Sequence, residues 1–298
     1  MQGIRNLFRA PWASAEKLEG KTVLITGANT GIGLEAAADL ATRGARVIMA
    51  CRDMEKAQAA IKEVKERSLN ENVVCVKLDL SDTKSIREFA QAINEGETKL
   101  NILINNAGVM ACPYAKTADG FELQIGVNHF GHFLLTFLLL DLLKRSSPAR
   151  VVTVSSMAHS WGSINLDDIN SERAYDKNKA YAQSKLANVL FTRALAKRTQ
   201  GTGVTAYSLH PGVVQTDLWR HLNGPQRFFL KMASPFTKTS AQGARTTVYC
   251  AVEPSLNDRS GGYYSNCAPA NCSTAGEDDE LAQKLWELSC RMLNITWD

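Results

Sequence analysis

The sequence predicts a doubly wound α/β fold, a parallel sheet covered by helices on both faces. Two observations carry that expectation. From Lys21 onward, short apolar runs rich in Val, Ile and Leu alternate with helix-length segments. The runs show little polar/apolar alternation, the pattern of strands buried on both faces rather than half-exposed ones. Strands are expected at residues 22–26, 45–50, 73–78, 100–105, 150–155 and 203–209, and helices at 32–43, 54–67, 84–95, 119–143 and 179–198. A helix between consecutive strands returns the chain to the same edge, which makes the sheet parallel. No Pro/Gly/Ser-rich linker, repeat or low-complexity tract breaks the series, so one domain is expected over residues 1–298. Residues 1–20 form an N-terminal extension, and 157–179 and 218–239 exceed what a minimal βα series needs. Long inserts in a compact fold are usually functional. The second is rich in large apolar side chains such as Trp219, Phe228, Phe229 and Phe236, which suits a lid over a lipophilic substrate, an oligomer contact or a membrane-dipping surface.

Composition narrows the function classes. The chain is 45% apolar and 21% charged, a soluble globular balance. A chain of this size buries about 75% of its unfolded surface, so its core needs no metal or disulfide staple. The 34 basic and 30 acidic residues leave a net charge of +4. There is no basic run or aromatic-interleaved basic stripe, which argues against a nucleic-acid partner. The seven cysteines are odd in number, scattered and free of CxxC spacing, as expected of reduced thiols in an intracellular protein. His129 and His132 share a helix face without a third ligand, so they read as core residues and no metal site is expected. Residues 130–143 fall short of the roughly 20 apolar residues a membrane span needs. They also carry Gly131, His132 and Asp141, and read as a buried core helix. The first 21 residues hold no secretory apolar block, and neither signal nor anchor is expected. Ile4, Leu7 and Phe8 interleave with Arg5 and Arg9, a pattern open to a short interfacial helix and a peripheral membrane contact. A frayed terminus fits the same residues.

The first strand runs directly into Thr26-Gly-Ala-Asn-Thr-Gly-Ile-Gly33 and then a helix. Gly27, Gly31 and Gly33 suit a tight turn, close approach to a pyrophosphate and close helix–strand packing, with Asn29, Thr30 and Ile32 in the same turn. This is the placement of a Rossmann-type dinucleotide site. About 20 residues further on, a carboxylate would bind the ribose hydroxyl of NAD. Here the second strand ends in Cys51 and Arg52, a thiol that repels no phosphate and a guanidinium that pairs with one. NADP is therefore expected. Asp53 either caps the next helix or turns to the ribose and readmits NAD.

Tyr181 and Lys185 lie at i, i+4 on one helix face, close enough for the ammonium to act on the phenol. A phenol must drop about three pKa units to ionise near neutrality, roughly 4 kcal/mol. An ammonium about 4 Å away at an effective dielectric near 20 supplies on the order of 4 kcal/mol. The same spacing recurs in Tyr175 and Lys179, but Tyr175 stands in a polar loop-like segment and Tyr181 in a Gly- and Pro-free run. Tyr181 is thus the expected acid/base, and Tyr175 a loop residue near the entrance. The strand at 150–155 ends in Ser155-Ser156, either of which can donate to a substrate oxygen at the carboxyl edge of the sheet. Asn128, a poor helix former inside a helical segment, needs partners and is a candidate to tie a water to Lys185.

The glycine turn, Asn105-Asn-Ala-Gly108, Asn128, Ser156, Tyr181-x-x-x-Lys185 and Pro211-Gly212, in this order, resemble the short-chain dehydrogenase/reductase superfamily. The resemblance covers about residue 18 to the C-terminus. Residues 50–53, 77–83, 116–121 and 184–191 are similar to its NADP-preferring retinol dehydrogenase/retinal reductase branch. The resemblance implies Tyr181 as general acid/base, Lys185 as the cation beside it that also holds the nicotinamide ribose, Ser156 polarising the carbonyl, and Asn128 completing the relay. It places Asp79 and Leu80 at the adenine, Asn105, Ala107 and Gly108 at the adenosine ribose, and Pro211, Gly212, Val214 and Thr216 at the carboxamide. The implied reaction interconverts a lipophilic alcohol and its carbonyl, retinol and retinal first, with steroids or medium-chain aldehydes as alternative substrates. A non-catalytic nucleotide-binding module is the competing class, and it has no need of the Tyr181–Lys185 pair. Members of that branch begin with a hydrophobic anchor, which is not seen here, so the expected setting is cytoplasmic or peripheral to the endoplasmic reticulum membrane.

Overall fold

A computed structural model describes residues 12–214 and 237–297. Its strands are β1 (Thr22–Thr26), β2 (Arg46–Cys51), β3 (Val73–Lys77), β4 (Ile102–Asn105), β5 (Ala149–Val154), β6 (Val204–His210), β7 (Tyr263–Ser265) and β8 (Ala268–Pro269). They form one sheet in the order β3-β2-β1-β4-β5-β6-β7-β8, parallel as far as β7 and closed by the antiparallel β7–β8 pair. The helices are α1 (Gly31–Thr42), α2 (Met54–Ser68), α3 (Thr83–Gly96), α4 (Leu123–Arg145), α5 (Lys177–Arg198), α6 (Ser240–Val252) and α7 (Asp279–Leu293).

Every residue of β1 is buried, and its side chains alternate between two cores. Val23 and Ile25 join the core under α1, α2 and α6, while Leu24 joins the one under α3, α4, α5 and α7. That division is the doubly wound architecture expected of two-faced apolar strands. The strand order turns back between β1 and β4, which opens a crevice beyond their carboxyl ends.

Local chemistry sets the helix starts. Asp53, Asp82, Asp176 and Asp278 each accept a backbone N–H of the first turn of α2, α3, α5 and α7. Asp176 therefore starts α5 at Lys177, two residues ahead of the expected boundary. The helix expected over 119–143 begins only at Leu123, because Gly120 turns with φ +86° and Asp119 instead caps α3 through the Thr83 N–H at 2.9 Å. Glu122, fully buried, starts α4 by accepting the Gln124 and Ile125 N–H groups, both at 2.9 Å. The helix is interrupted at once by a π-turn over Gly126–Phe130. It is long and apolar enough to cross a membrane, yet 83% of its apolar window is buried in the fold, as expected for a core helix. Beyond β6 lie α6, β7, β8 and α7, which the expected series did not include; β7 and β8, three and two residues long, are too short to show a period. Residues 1–11 and 215–236, which hold most of the N-terminal extension, Thr216 and nearly all of the apolar insert, lie outside the described residues.

Candidate active site

A cleft of about 1030 Å³ runs along the carboxyl edge of the sheet. At one end, Gly27 and Gly31 hold φ values of +64° and +58°, the left-handed region that favours glycine. A Cβ on Gly33 would stand 2.3 Å from the Gly27 carbonyl oxygen, and one on Gly27 would touch Ala107 at 3.0 Å. Only bare backbone fits this turn. Thr26 ties it to the neighbouring strand, its hydroxyl accepting the N–H groups of Asn106 and Ala107, each at 2.9 Å. Asn29, Thr30 and Ile32 line the same wall, with Ala107 and Gly108 across from them. The α1 N-terminus opens onto this space, so the residues present fit a dinucleotide pyrophosphate.

Further along, Arg52, Lys56, Asp79 and Leu80 line the cleft. Arg52 is exposed and makes no ion pair among the described residues. Asp53 lines the same stretch and caps α2, accepting the Lys56 N–H at 3.1 Å, with the Lys56 ammonium 3.7 Å from its carboxylate. Asp79 accepts both the N–H and the hydroxyl of Ser81, at 2.9 and 2.6 Å. Asn105 does not line the cleft. It is buried behind it, donating to the Thr136 hydroxyl at 3.1 Å, and Asn106 takes the cleft position, donating to the Thr26 carbonyl at 2.8 Å. In an extended strand end, adjacent residues face opposite ways.

At the other end stand Ser156, Tyr181 and Lys185. The serine pair divides its work. Ser155 is buried and donates to the Lys185 carbonyl at 2.7 Å, anchoring α5, while Ser156 hydrogen-bonds the Tyr181 phenol. The Lys185 ammonium lies 5.8 Å from the centre of the Tyr181 ring and donates to the Val154 carbonyl at 3.1 Å. Burial dominates both groups, pushing the phenol up to about 12, against the Ser156 hydrogen bond, and the ammonium down to about 8. Burial, rather than the charge of Lys185, sets the direction for the phenol. Asn128 sits inside the π-turn with its amide spent on Val109, 2.9 Å from its N–H and 3.0 Å from its carbonyl, and on the Ser184 hydroxyl at 2.9 Å. Its side chain clasps the Val109 segment, and its backbone carbonyl accepts from His132 Nδ1 at 3.0 Å. Pro211, Gly212 and Val214 line the cleft after β6; Gly212 has φ +99° and packs on the Lys238 side chain. Tyr175 is outside the cleft lining, and its hydroxyl donates to the Cys112 carbonyl at 2.8 Å and accepts from Gln124 at 2.9 Å.

A serine and a tyrosine beside a glycine cradle in one cleft are an arrangement suited to an oxidoreductase. The family model for short chain dehydrogenase matches residues 21–227. The chain belongs to the short-chain dehydrogenase family. This short-chain dehydrogenase is 54% identical over 282 residues to human retinol dehydrogenase 12, covering 95% of this chain and 89% of that one. It is 51% identical over 285 residues to human retinol dehydrogenase 11, covering 96% and 89%. Among solved structures, an uncharacterized protein from Mycobacterium paratuberculosis matches with a TM-score of 0.79 at 39% identity, over 97% of this chain and 100% of that one. The RhlG/NADP active-site complex of Pseudomonas aeruginosa matches at 0.67 and 28% identity, over 83% and 94%. As a short-chain dehydrogenase it is an NAD(P)-dependent enzyme that interconverts alcohols and carbonyls.

Three residues in this short-chain dehydrogenase were missed by sequence reasoning. Lys56, in the first turn of α2, adds a second cation beside Arg52 on that wall. His210 lines the opposite end beside Pro211, and His159 packs behind Ser156. His159 was findable as a near neighbour of Ser156 in sequence, whereas His210 meets that segment only through the fold. His129 and His132 are buried core residues, bonded to Ser289 and Thr26 at 2.8 and 2.9 Å, and no metal-type cluster occurs among the described residues.

Proposed function

We propose that this short-chain dehydrogenase interconverts a lipophilic primary alcohol and its aldehyde using NADP(H), with retinol and retinal as the leading pair. The observation that carries the reading is the joint placement of the Ser156 and Tyr181 hydroxyls at the open end of a cleft whose far end is bare glycine backbone. Gly27, Asn29, Thr30, Gly31, Ile32 and Gly33 hold the pyrophosphate, Asp79 and Leu80 the adenine, and Ala107 and Gly108 the adjoining ribose. Lys185 takes the second ribose, and Pro211, Gly212 and Val214 the carboxamide. When bound, the nicotinamide supplies or accepts the hydride. Ser156 donates a hydrogen bond to the carbonyl oxygen, Tyr181 hands its proton to that oxygen in reduction, and Lys185 holds positive charge beside the resulting phenolate. A phenol raised to about 12 rests protonated at neutral pH, the form that reduction uses.

The relatives' names support a retinoid, and so does the cleft mouth. Met157, Trp161 and Val213 line it and are among the few exposed large apolar side chains described, Trp161 at 73% exposure. That rim suits a long apolar substrate and a peripheral contact with the membrane that supplies it. No disulfide joins the cysteines among the described residues, in keeping with an intracellular setting. The described elements share one sheet, which supports one catalytic domain.

NADPH consumption with all-trans-retinal, a steroid ketone and a medium-chain aldehyde, each repeated with NADH, tests the substrate reading. Retinal with NADPH is expected to be the best pair; no turnover with any carbonyl would leave only a nucleotide-binding module. Cofactor choice has its own test. Arg52 and Lys56 are cations on the cleft wall where a 2′-phosphate would be held, so Arg52→Asp is expected to shift the NADPH/NADH ratio of kcat/KM toward NADH by about tenfold or more. An unchanged ratio would make Arg52 a solvated surface residue.

A further inference from the structure

Ser156 is the last fixed point before a single 3₁₀ turn, Met157–Trp161. Within the turn, the His159 N–H donates to the Ser156 carbonyl at 3.1 Å and the Ala158 N–H donates to the Ser156 hydroxyl at 3.2 Å. Two imidazoles brace it, one from within the turn and one from the end of β6. The His159 Nδ1 lies 2.7 Å from the Ser156 carbonyl oxygen, and the Met157 N–H donates to His210 Nδ1 at 3.1 Å. The Ser156 carbonyl and the Met157 N–H belong to one planar peptide unit. Two imidazoles therefore grip the two ends of the peptide plane that follows Ser156.

The partners fix the tautomers. A carbonyl only accepts, so His159 carries its proton on Nδ1, which leaves Nε2 bare to accept the Ser273 N–H at 3.0 Å. An N–H only donates, so His210 has a bare Nδ1 and its proton on Nε2. Both rings are held neutral. Burial pushes His210 down to about 4, aided by Lys238 and His159, and burial also lowers His159 against the pull of the Ser156 carbonyl. The Tyr263 ring packs on His159 with centroids 4.8 Å apart, its hydroxyl 3.5 Å from Nδ1, and no carboxylate bonds either imidazole among the described residues. Through Ser273, the plane is also tied to the C-terminal part of the chain.

We propose that His159 and His210 are positioning residues for the reaction: by fixing the Ser156–Met157 peptide plane they aim the Ser156 hydroxyl at the carbonyl oxygen. The inference rests on Ser156 having the role assigned above. It makes a pattern that a merely structural role does not. His159→Gln keeps an acceptor for Ser273 but loses the donor to Ser156, and His210→Gln carries its amide past Met157. His159→Asn and His210→Asn place an amide nitrogen or oxygen where each Nδ1 stood.

The experiment measures kcat and KM with NADPH and all-trans-retinal for these four variants, alone and in a Ser156→Ala background. Each Gln variant is expected to lose about tenfold in kcat with the KM for NADPH within about twofold, and each Asn variant to recover most of the loss. In the Ser156→Ala background the Gln variants are expected to cost less than about twofold more, since there is no hydroxyl left to aim. Full, additive losses in that background, or Asn variants no better than Gln, overturn the inference while leaving the role of Ser156 intact. A Ser156→Ala enzyme as active as the parent overturns that role and the inference with it. Should a Gln variant fail to fold by circular dichroism, the Asn variants decide: near-parental kcat supports the clamp, and a tenfold loss overturns it.

Discussion

Replacing Tyr181 with Phe is expected to lower kcat for retinal reduction by about 10²- to 10⁴-fold, the range a positioned proton donor contributes. NADPH binding, followed by fluorescence, should change by less than about twofold. The reason is local. Tyr181 is buried against the cleft, its hydroxyl meets Ser156, and the glycine cradle lies at the far end. Removing one oxygen leaves the ring, the helix and the cradle in place. Tyr175→Phe is the contrast, because that hydroxyl is spent on Cys112 and Gln124 and its ring lies outside the cleft lining. It should cost stability and leave turnover within a few-fold. The opposite ranking of the two variants would put the acid/base at the wrong tyrosine.

Lys185→Met is expected to separate activity from stability. At 5.8 Å from the phenol ring, one charge at an effective dielectric near 20 is worth about 3 kcal/mol. Alcohol oxidation, which needs the phenolate, should fall about 100-fold, and reduction, which starts from the phenol, by less. Stability should move the other way. The folded chain holds this lysine at about 8, below its ordinary value of 10.5, so folding penalises the charged form. The unfolded chain binds more protons between pH 8 and 10.5, and stability rises with pH across that window. Below pH 8 the penalty is complete, on the order of 3 kcal/mol. Lys185→Met, with Asn188 still donating to the Val154 carbonyl at 3.1 Å, should therefore raise the thermal midpoint at pH 7 by about 2–5 °C. Near pH 10.5 the gain should vanish. Calorimetry at the two pH values checks this; a lower midpoint at pH 7 would show that the ammonium supports the fold rather than straining it.

The six central strands and the helices between them were legible because two-sided burial writes itself into unbroken apolar runs. β7 and β8 were not, being three and two residues long. The candidate site was legible wherever function sits in one local segment, as in the glycine turn or the Tyr181–Lys185 face. It was less so where neighbours differ only in direction. Ser155 and Ser156 are equivalent in sequence, and the twist of the strand end decides that one anchors α5 and the other meets the phenol. Asn105 and Asn106 exchanged places for the same reason. The pKa of Tyr181 could not be read at all, since it depends on how completely two groups are removed from water.

The π-turn at Gly126–Phe130 makes one residue count. Upstream of it, Gln124 receives the Ala111 N–H and donates to Tyr175 and to the Lys177 carbonyl; downstream, His132 reaches Thr26 and Phe133 enters the core. Both ends are in phase with their partners only because the helix is wound wider there. A chain one residue shorter would close into regular α-helix, with its first turn rotated by about 100° against the rest. Gln124 would leave its three partners and Asn128 would leave Val109. The length of this stretch is therefore frozen: the spacing between Glu122 and His132 is a measure that insertion or deletion cannot drift through.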